Sequence, residues 1–167
     1  MALGQVENKG RKYYLTISEG KIVHSENGQK KYYGYVEGEL ERIYKLERTF
    51  NGEKVPYWYL DIRGEKDELY ALSLPYKSGA FKSIVLALAS EVPILSAIKI
   101  EPYVKNGYTK VVVSRGGKRL DWVTKELPEV ETVYIAGQPV KDDTRRMAYI
   151  SSLVERINET MEYKRNR

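Results

Sequence analysis

Residues able to do covalent chemistry are scarce in this chain. It has one histidine, His24, and no cysteine, so no His pair, no Cys/His metal site and no histidine-based nucleophile relay can be assembled. Arg115-Gly116-Gly117-Lys118 lacks the spacing of a phosphate-cradling Gly-Lys-Ser/Thr loop. Asp61, Glu65, Asp67 and Glu68 are the one set from which a two-metal nuclease centre could be built, but acidic turns between strands are routine solvated features. The expectation is therefore a protein that is not an enzyme and needs no cofactor or metal. What the sequence offers in quantity is rings and cations. Fifteen Tyr stand against two Phe and two Trp. Tyrosine has high strand propensity, and it also presents an apolar ring with a polar tip. Two stretches set rings and cations about an Asn-Gly turn. Residues 47–54 hold Arg48, Phe50 and Lys54 around Asn51-Gly52, and the second stretch holds Tyr103, Lys105, Tyr108 and Lys110 around Asn106-Gly107. Rings of this kind stack on bases for about 1–3 kcal/mol each, while lysine and arginine track phosphates.

Alternation and turn signals give the elements that must position these groups. Residues 12–25 read as a hairpin turning at Glu19-Gly20, and 26–31 as a polar loop. From Tyr35, the residues Val36, Gly38 and Leu40 share one side of a strand; Ile43 and Leu46 fall out of phase, which predicts a bulge near Glu41-Arg42. In 55–63, Trp58, Leu60 and Ile62 take one face, and Tyr57, Tyr59, Asp61 and Arg63 take the other. A strand over 68–74 is stopped by Pro75. Ser78 then caps an amphipathic helix carrying Phe81, Ile84, Val85 and Leu88. Residues 97–103 and 108–114 form a hairpin, and a turn at Gly116-Gly117 leads into 118–123. The acidic stretch 124–140 reads as a connector with one short strand at 133–135. Asp142 and Asp143 open a last helix striped by Met147, Ile150, Val154, Ile157 and Met161, ahead of a basic tail at 163–167.

Without the ends, the order is three strands, a helix and two strands, which is the plan of a five-stranded OB-fold Greek-key barrel. Gly38 inside the first strand suits a sharply coiled barrel strand. The expected fold is mainly β: an N-terminal extension with a hairpin (1–34), the barrel (35–123), a connector (124–140) and a C-terminal helix (141–167), all one unit. YVEGELERIYKLERTFNGEKVPYWYLDI, LPYKSGAFKSIVLALAS and IKIEPYVKNGYTKVVV together resemble OB-fold single-stranded-DNA-binding proteins of the phage-encoded kind. The resemblance spans roughly residues 35–123 and implies a largely sequence-independent single-stranded DNA binder of replication or recombination. Many such proteins end in an acidic tail that recruits partners; Tyr163-Lys164-Arg165-Asn166-Arg167 departs from that pattern.

Net charge is +5, and residues 76–119 concentrate it, with eight basic against two acidic groups. A basic stretch is the footprint of a polyanion binder. OB-folds bind across strands two and three, flanked by the loops between strands one and two and between four and five. Arg48, Phe50, Lys54, Tyr103, Lys105, Tyr108 and Lys110 of those loops are therefore the candidate contacts, with Tyr57 and Tyr59 outward between them; the alternative is that Phe50 caps the barrel mouth and the Tyr pair covers sheet. Trp58 and Trp122 are assigned to the core, and Tyr76, Lys77 and Lys82 border the helix entrance. No apolar run is long enough to span a bilayer and the first residues lack a signal pattern, so a soluble cytoplasmic protein is expected. The C-terminal stripe packs on the barrel or pairs with a second copy. The competing function is an OB-fold interaction or assembly module that binds no nucleic acid.

Overall fold

The computed structural model describes residues 12–94 and 96–165. In chain order the elements are β1 (Lys12–Ser18), β2 (Lys21–Glu26), β3 (Gln29–Tyr33), β4 (Val36–Phe50), β5 (Glu53–Arg63), β6 (Leu69–Pro75), α1 (Gly79–Ala89), β7 (Ile98–Lys105), β8 (Tyr108–Arg115), β9 (Lys118–Arg119), β10 (Glu131–Ile135), β11 (Gln138–Asp142) and α2 (Thr144–Arg165). The fold is mainly β. Nine strands form one sheet in the order β3-β2-β1-β6-β5-β4-β7-β8-β9, and β10-β11 stand apart as a second hairpin. The five strands expected over 35–123 are β4 to β8, with α1 between β6 and β7 as the sequence pattern requires. They are the middle of a larger sheet and not a barrel closed on itself. The edge of β6 that five-strand closure would use is taken by β1 in parallel pairing, Lys12–Leu15 against Leu69–Leu72.

Two turns explain the extra strands. Asn27 and Gly28 both have positive φ (52° and 77°), the conformation of a two-residue hairpin turn. They convert the expected loop at 26–31 into the start of β3, an exposed edge strand whose Lys30 and Lys31 discourage further pairing. Ala136 and Gly137 do the same at φ 51° and 80°, so the connector at 124–140 contains the β10-β11 hairpin. Alanine in that conformation gives no turn signal in sequence.

The core lies between the inner face of the sheet and α1. Phe81, fully buried, lies flat on Trp58 at 4.8 Å between ring centroids and 7° between planes. Ser78 caps α1 as expected, its Oγ accepting the Phe81 N–H at 3.2 Å. Trp122 is not core: it is 45% exposed. β9 ends at Arg119, so the alternation linking Trp122 to buried Leu120 stops, and the Val123 N–H turns to the Leu86 carbonyl of α1 instead.

β4 shows the expected bulge. Pairing with β5 passes from Leu40–Ile62 to Arg42–Asp61, leaving Glu41 extra. Val36, Gly38 and Leu40 face inward before it; afterwards Ile43 faces inward, and Arg42, Tyr44, Leu46, Arg48 and Phe50 face outward. A Cβ at Gly38 would overlap the Arg63 carbonyl, which explains a glycine inside this strand. β7 pairs with β4 only over Val36–Gly38, so the same edge is open at Ile43. Asn158 of α2 fills it: Oδ1 accepts the Ile43 N–H at 2.9 Å, and Nδ2 donates to the Ile43 carbonyl at 2.7 Å. The stripe Met147, Ile150, Val154, Ile157 and Met161 is buried within the chain. Its backbone is helical through Arg165, three residues into the expected tail, whose last two lie outside the described residues, as does the N-terminal extension before residue 12. No helix among the described residues is long and apolar enough to cross a membrane.

Candidate functional site

After the bulge, every second side chain of β4 points away from the core, and the register sets each against an outward residue of β5. Arg42 lies opposite Asp61, Tyr44 opposite Tyr59, Leu46 opposite Tyr57 and Arg48 opposite Val55. At the centre of β6 the same face carries Ala71 and Ser73, opposite Asp61 and Tyr59. These small side chains let β1 contribute Lys12 and Tyr14 from the far side, with Tyr14 opposite Ala71.

The result is a row of alternating rings and cations. Tyr44 and Tyr59 stack at 5.3 Å with 9° between planes. The Arg48 guanidinium lies 4.5 Å from the Tyr57 ring centre and 5.3 Å from that of Tyr59, and its Nε donates to the Tyr59 hydroxyl at 2.6 Å. Phe50 meets Tyr57 at a tilt, 6.0 Å between ring centres. Arg42 covers Tyr44 at 4.1 Å, while Lys12 reaches the rings of Tyr44 and Tyr14 at 5.2 and 5.8 Å.

Asp61 anchors one end. Its side chain is only 3% exposed, and it accepts from Arg42 Nε at 3.0 Å and the Tyr44 hydroxyl at 3.0 Å, with Lys12 Nζ at 3.5 Å. Burial alone would lower the Lys12 pKa, but the Tyr44 hydroxyl bond and the Asp61 charge outweigh it and raise it. The hydrogen bond to Asp61 raises Arg42, and burial raises the Tyr44 phenol. Both cations therefore stay charged and the phenol neutral near pH 7.

The expected residues divide between two places. Arg48, Phe50, Tyr57 and Tyr59 belong to this row. Residues 47–54, expected as a loop, are paired strand up to the two-residue turn, with Lys54 opposite Thr49 and so on the other face from Arg48 and Phe50. Tyr59 points outward as expected but is 5% exposed, because Tyr44 and Arg48 cover it; it supports the row and offers no free ring face. Tyr57 and Phe50 are half-buried and exposed respectively. Tyr103 pairs with Lys110 and Lys105 with Tyr108, so these four share one face of the β7-β8 hairpin, with Tyr108 72% exposed. Because β7 runs antiparallel from the start of β4, this hairpin's tip and the β4-β5 tip lie beyond opposite ends of β4. At the helix entrance Tyr76 stacks on Trp58, Lys77 pairs with Asp143 at 3.4 Å, and burial lowers the Lys82 pKa.

No family model matches the chain, and no curated protein or solved structure does either. Lys12, Tyr14, Arg42 and Tyr44 are absent from the sequence candidates. The i, i+2 series Arg42, Tyr44, Leu46, Arg48, Phe50 is the available signal for two of them, once the bulge has reset the phase. The four carboxylates do not converge. Asp61 is held by the cations of the outer face, Asp67 by Arg63 at 2.8 Å, and Glu68 by the Tyr70 hydroxyl at 3.2 Å. The described residues contain no group of three or more His, Cys, Asp or Glu able to hold a metal. What the outer row offers is flat π-faces for planar groups and fixed cations for anions.

Proposed function

We propose that this chain binds single-stranded DNA, largely without sequence preference, along the outer face of β4, β5, β6 and β1, in the service of replication or recombination. The observation that carries the reading is the row in which Lys12, Arg42 and Arg48 alternate with rings, exposed at both ends through Phe50 (47%) and Tyr14 (58%). Exposed rings accept unstacked bases, which a duplex does not present, and the cations between them meet the backbone. Two further features support an OB-type plan for β4 to β8: their order β6-β5-β4-β7-β8, and a helix between the third and fourth of these strands. On this reading the β7-β8 hairpin, with Tyr108, Lys105, Tyr103 and Lys110, lies at the far end of the bound strand's path.

A fluorescence titration with oligo-dT, matched RNA and duplex DNA at two salt concentrations tests the reading. Oligo-dT is expected to quench the Tyr and Trp emission and to bind more weakly as salt rises, through counterion release. Duplex bound as tightly as the single strand would refute it.

Asp61 supplies a sharper expectation. Asp61→Asn removes the charge that holds Arg42 and Lys12 and leaves both free to reach phosphate. The folded variant is expected to bind oligo-dT more tightly at fixed salt, with a log–log salt slope steeper by about 0.7 for each additional phosphate neutralised. Weaker binding with an unchanged slope would mean that Asp61 orders the face and does not restrain it.

A further inference from the structure

A second concave surface lies on the opposite side of the sheet, where the inner face of β1, β2 and β3 faces the start of β4 and the β5-β6 turn. It is a groove of about 1360 Å³. Its charge is opposite to that of the chain: six carboxylates and three Lys or Arg line it, and one of those cations, Arg63, is already paired with Asp67 and Glu41. A phosphate backbone is repelled here.

Tyr13 and Tyr70 form its inner wall, with Tyr33 at the rim. Tyr13 contacts Tyr70 at 5.6 Å between ring centres and meets the His24 ring edge-on at 5.6 Å. Tyr70 has its phenol pKa raised, chiefly by burial and then by Glu68, Tyr13 and Tyr33. Two buried polar atoms among these rings lack a hydrogen-bond partner. Glu68 takes the Tyr70 hydroxyl on Oε1, but its Oε2 is buried with no hydrogen-bond partner. His24 Nδ1 lies 3.2 Å from the Tyr14 carbonyl, which can only accept, so Nδ1 carries the proton. Its Nε2 is buried without a hydrogen bond and 3.7 Å from the Glu26 carboxylate. A buried acceptor left unmet is costly, so what the groove lacks is N–H donors carrying positive charge.

We propose that this groove receives an arginine-bearing extended segment of a basic partner protein. A guanidinium brings five N–H donors in one plane, enough to serve Glu68 Oε2 and a neighbouring carboxylate of the groove, and its flat face stacks on tyrosine. The volume is above the roughly 300–1,000 Å³ of small-molecule pockets and suits a stretch of polypeptide. β3 borders the groove through Lys31 and Tyr33, and the exposed Tyr33 ring gives the rim a face for a guanidinium. The partner's charge complements the groove, and the site is independent of the DNA-binding face.

Isothermal titration with the blocked pentapeptide Gly-Arg-Gly-Arg-Gly, its lysine counterpart and spermidine tests the proposal on the full chain, with and without saturating oligo-dT. The arginine peptide is expected to bind more tightly than the lysine peptide or spermidine, and equally with or without oligo-dT. Glu68→Gln is expected to weaken it about tenfold, by loss of a charge-assisted bond, with the melting temperature and oligo-dT binding retained. Tyr33→Ala, an exposed ring at the rim, gives a second variant if Glu68→Gln fails to fold. No binding at millimolar peptide, spermidine bound as tightly as the peptide, displacement by oligo-dT, or full affinity in the folded variants would each overturn it. The oligo-dT arm reports on the other face separately.

Discussion

Phe81→Ala is expected to cost about 3–5 kcal/mol of folding stability, the range for truncating a fully buried aromatic residue. Phe81 has no exposed surface, and its ring lies parallel to Trp58, which is itself stacked on its other neighbour Tyr76 at 5.7 Å. Deleting one ring of this three-ring stack between α1 and β5 leaves a cavity that Trp58 cannot fill without moving its backbone. The loss is a large part of the 5–15 kcal/mol typical of a whole domain. Urea denaturation should show it as a lower midpoint with an unchanged slope, and the Trp58 emission should shift as its environment opens. A cost below about 1 kcal/mol would mean that the core repacks freely and that Phe81 does not fix the inner face of β5.

The second large effect concerns binding. Phe50 and Tyr14 are exposed rings at opposite ends of the outer row, the first against Tyr57 and the second against Lys12, so their losses should add. Each single alanine variant is expected to weaken oligo-dT binding by about 1–3 kcal/mol, and the double variant by about 2–6 kcal/mol, with the salt slope unchanged because no cation is removed. Exposure makes the expectation clean, since neither ring is needed for the fold and the melts should stay near wild type. Tyr108→Ala is the companion measurement. An equal loss there places the β7-β8 hairpin on the path of the strand, whereas normal binding confines the path to β4, β5, β6 and β1. Double-variant binding within a factor of two of wild type would move the binding face elsewhere.

How much of this is legible in sequence depends on what each signal encodes. Alternation and turn signals find β4 to β8, since β4 and β7 alternate buried with exposed positions and Gly or Pro stands at each strand's end, although β5 and β6 are buried on both faces at their centres. The 3-4 spacing of Phe81, Ile84, Val85 and Leu88 finds the helix. Alternation locates the bulge at Glu41, since Ile43 cannot stay in phase with Leu40 any other way. It misses β3, whose five residues are all exposed and carry no apolar face to betray a strand. It misses β11 because Ala136 takes a turn conformation that its side chain does not advertise. The candidate site is half legible. Arg48, Phe50 and Tyr57 emerge from a local ring-and-cation pairing, but Lys12 and Tyr14 join them only through a parallel ladder with partners 57 positions away. Tyr59 misleads for the opposite reason: alternation gives the direction of a side chain, not what lies on top of it.

That ladder also sets an order of events. The β1-β2 hairpin closes locally but is marginal alone, and the partner strand of β1 is made only after the whole β4-β5 hairpin has been laid down. Contacts of such long sequence separation carry the loop-closure cost that slows folding. Lys12 thus reaches Asp61 and Tyr44 late, after the strands that carry those two have paired. On that order the outer face is first a β4-β5 half in which Asp61 holds Arg42, and docking of β1 brings its second cation, Lys12.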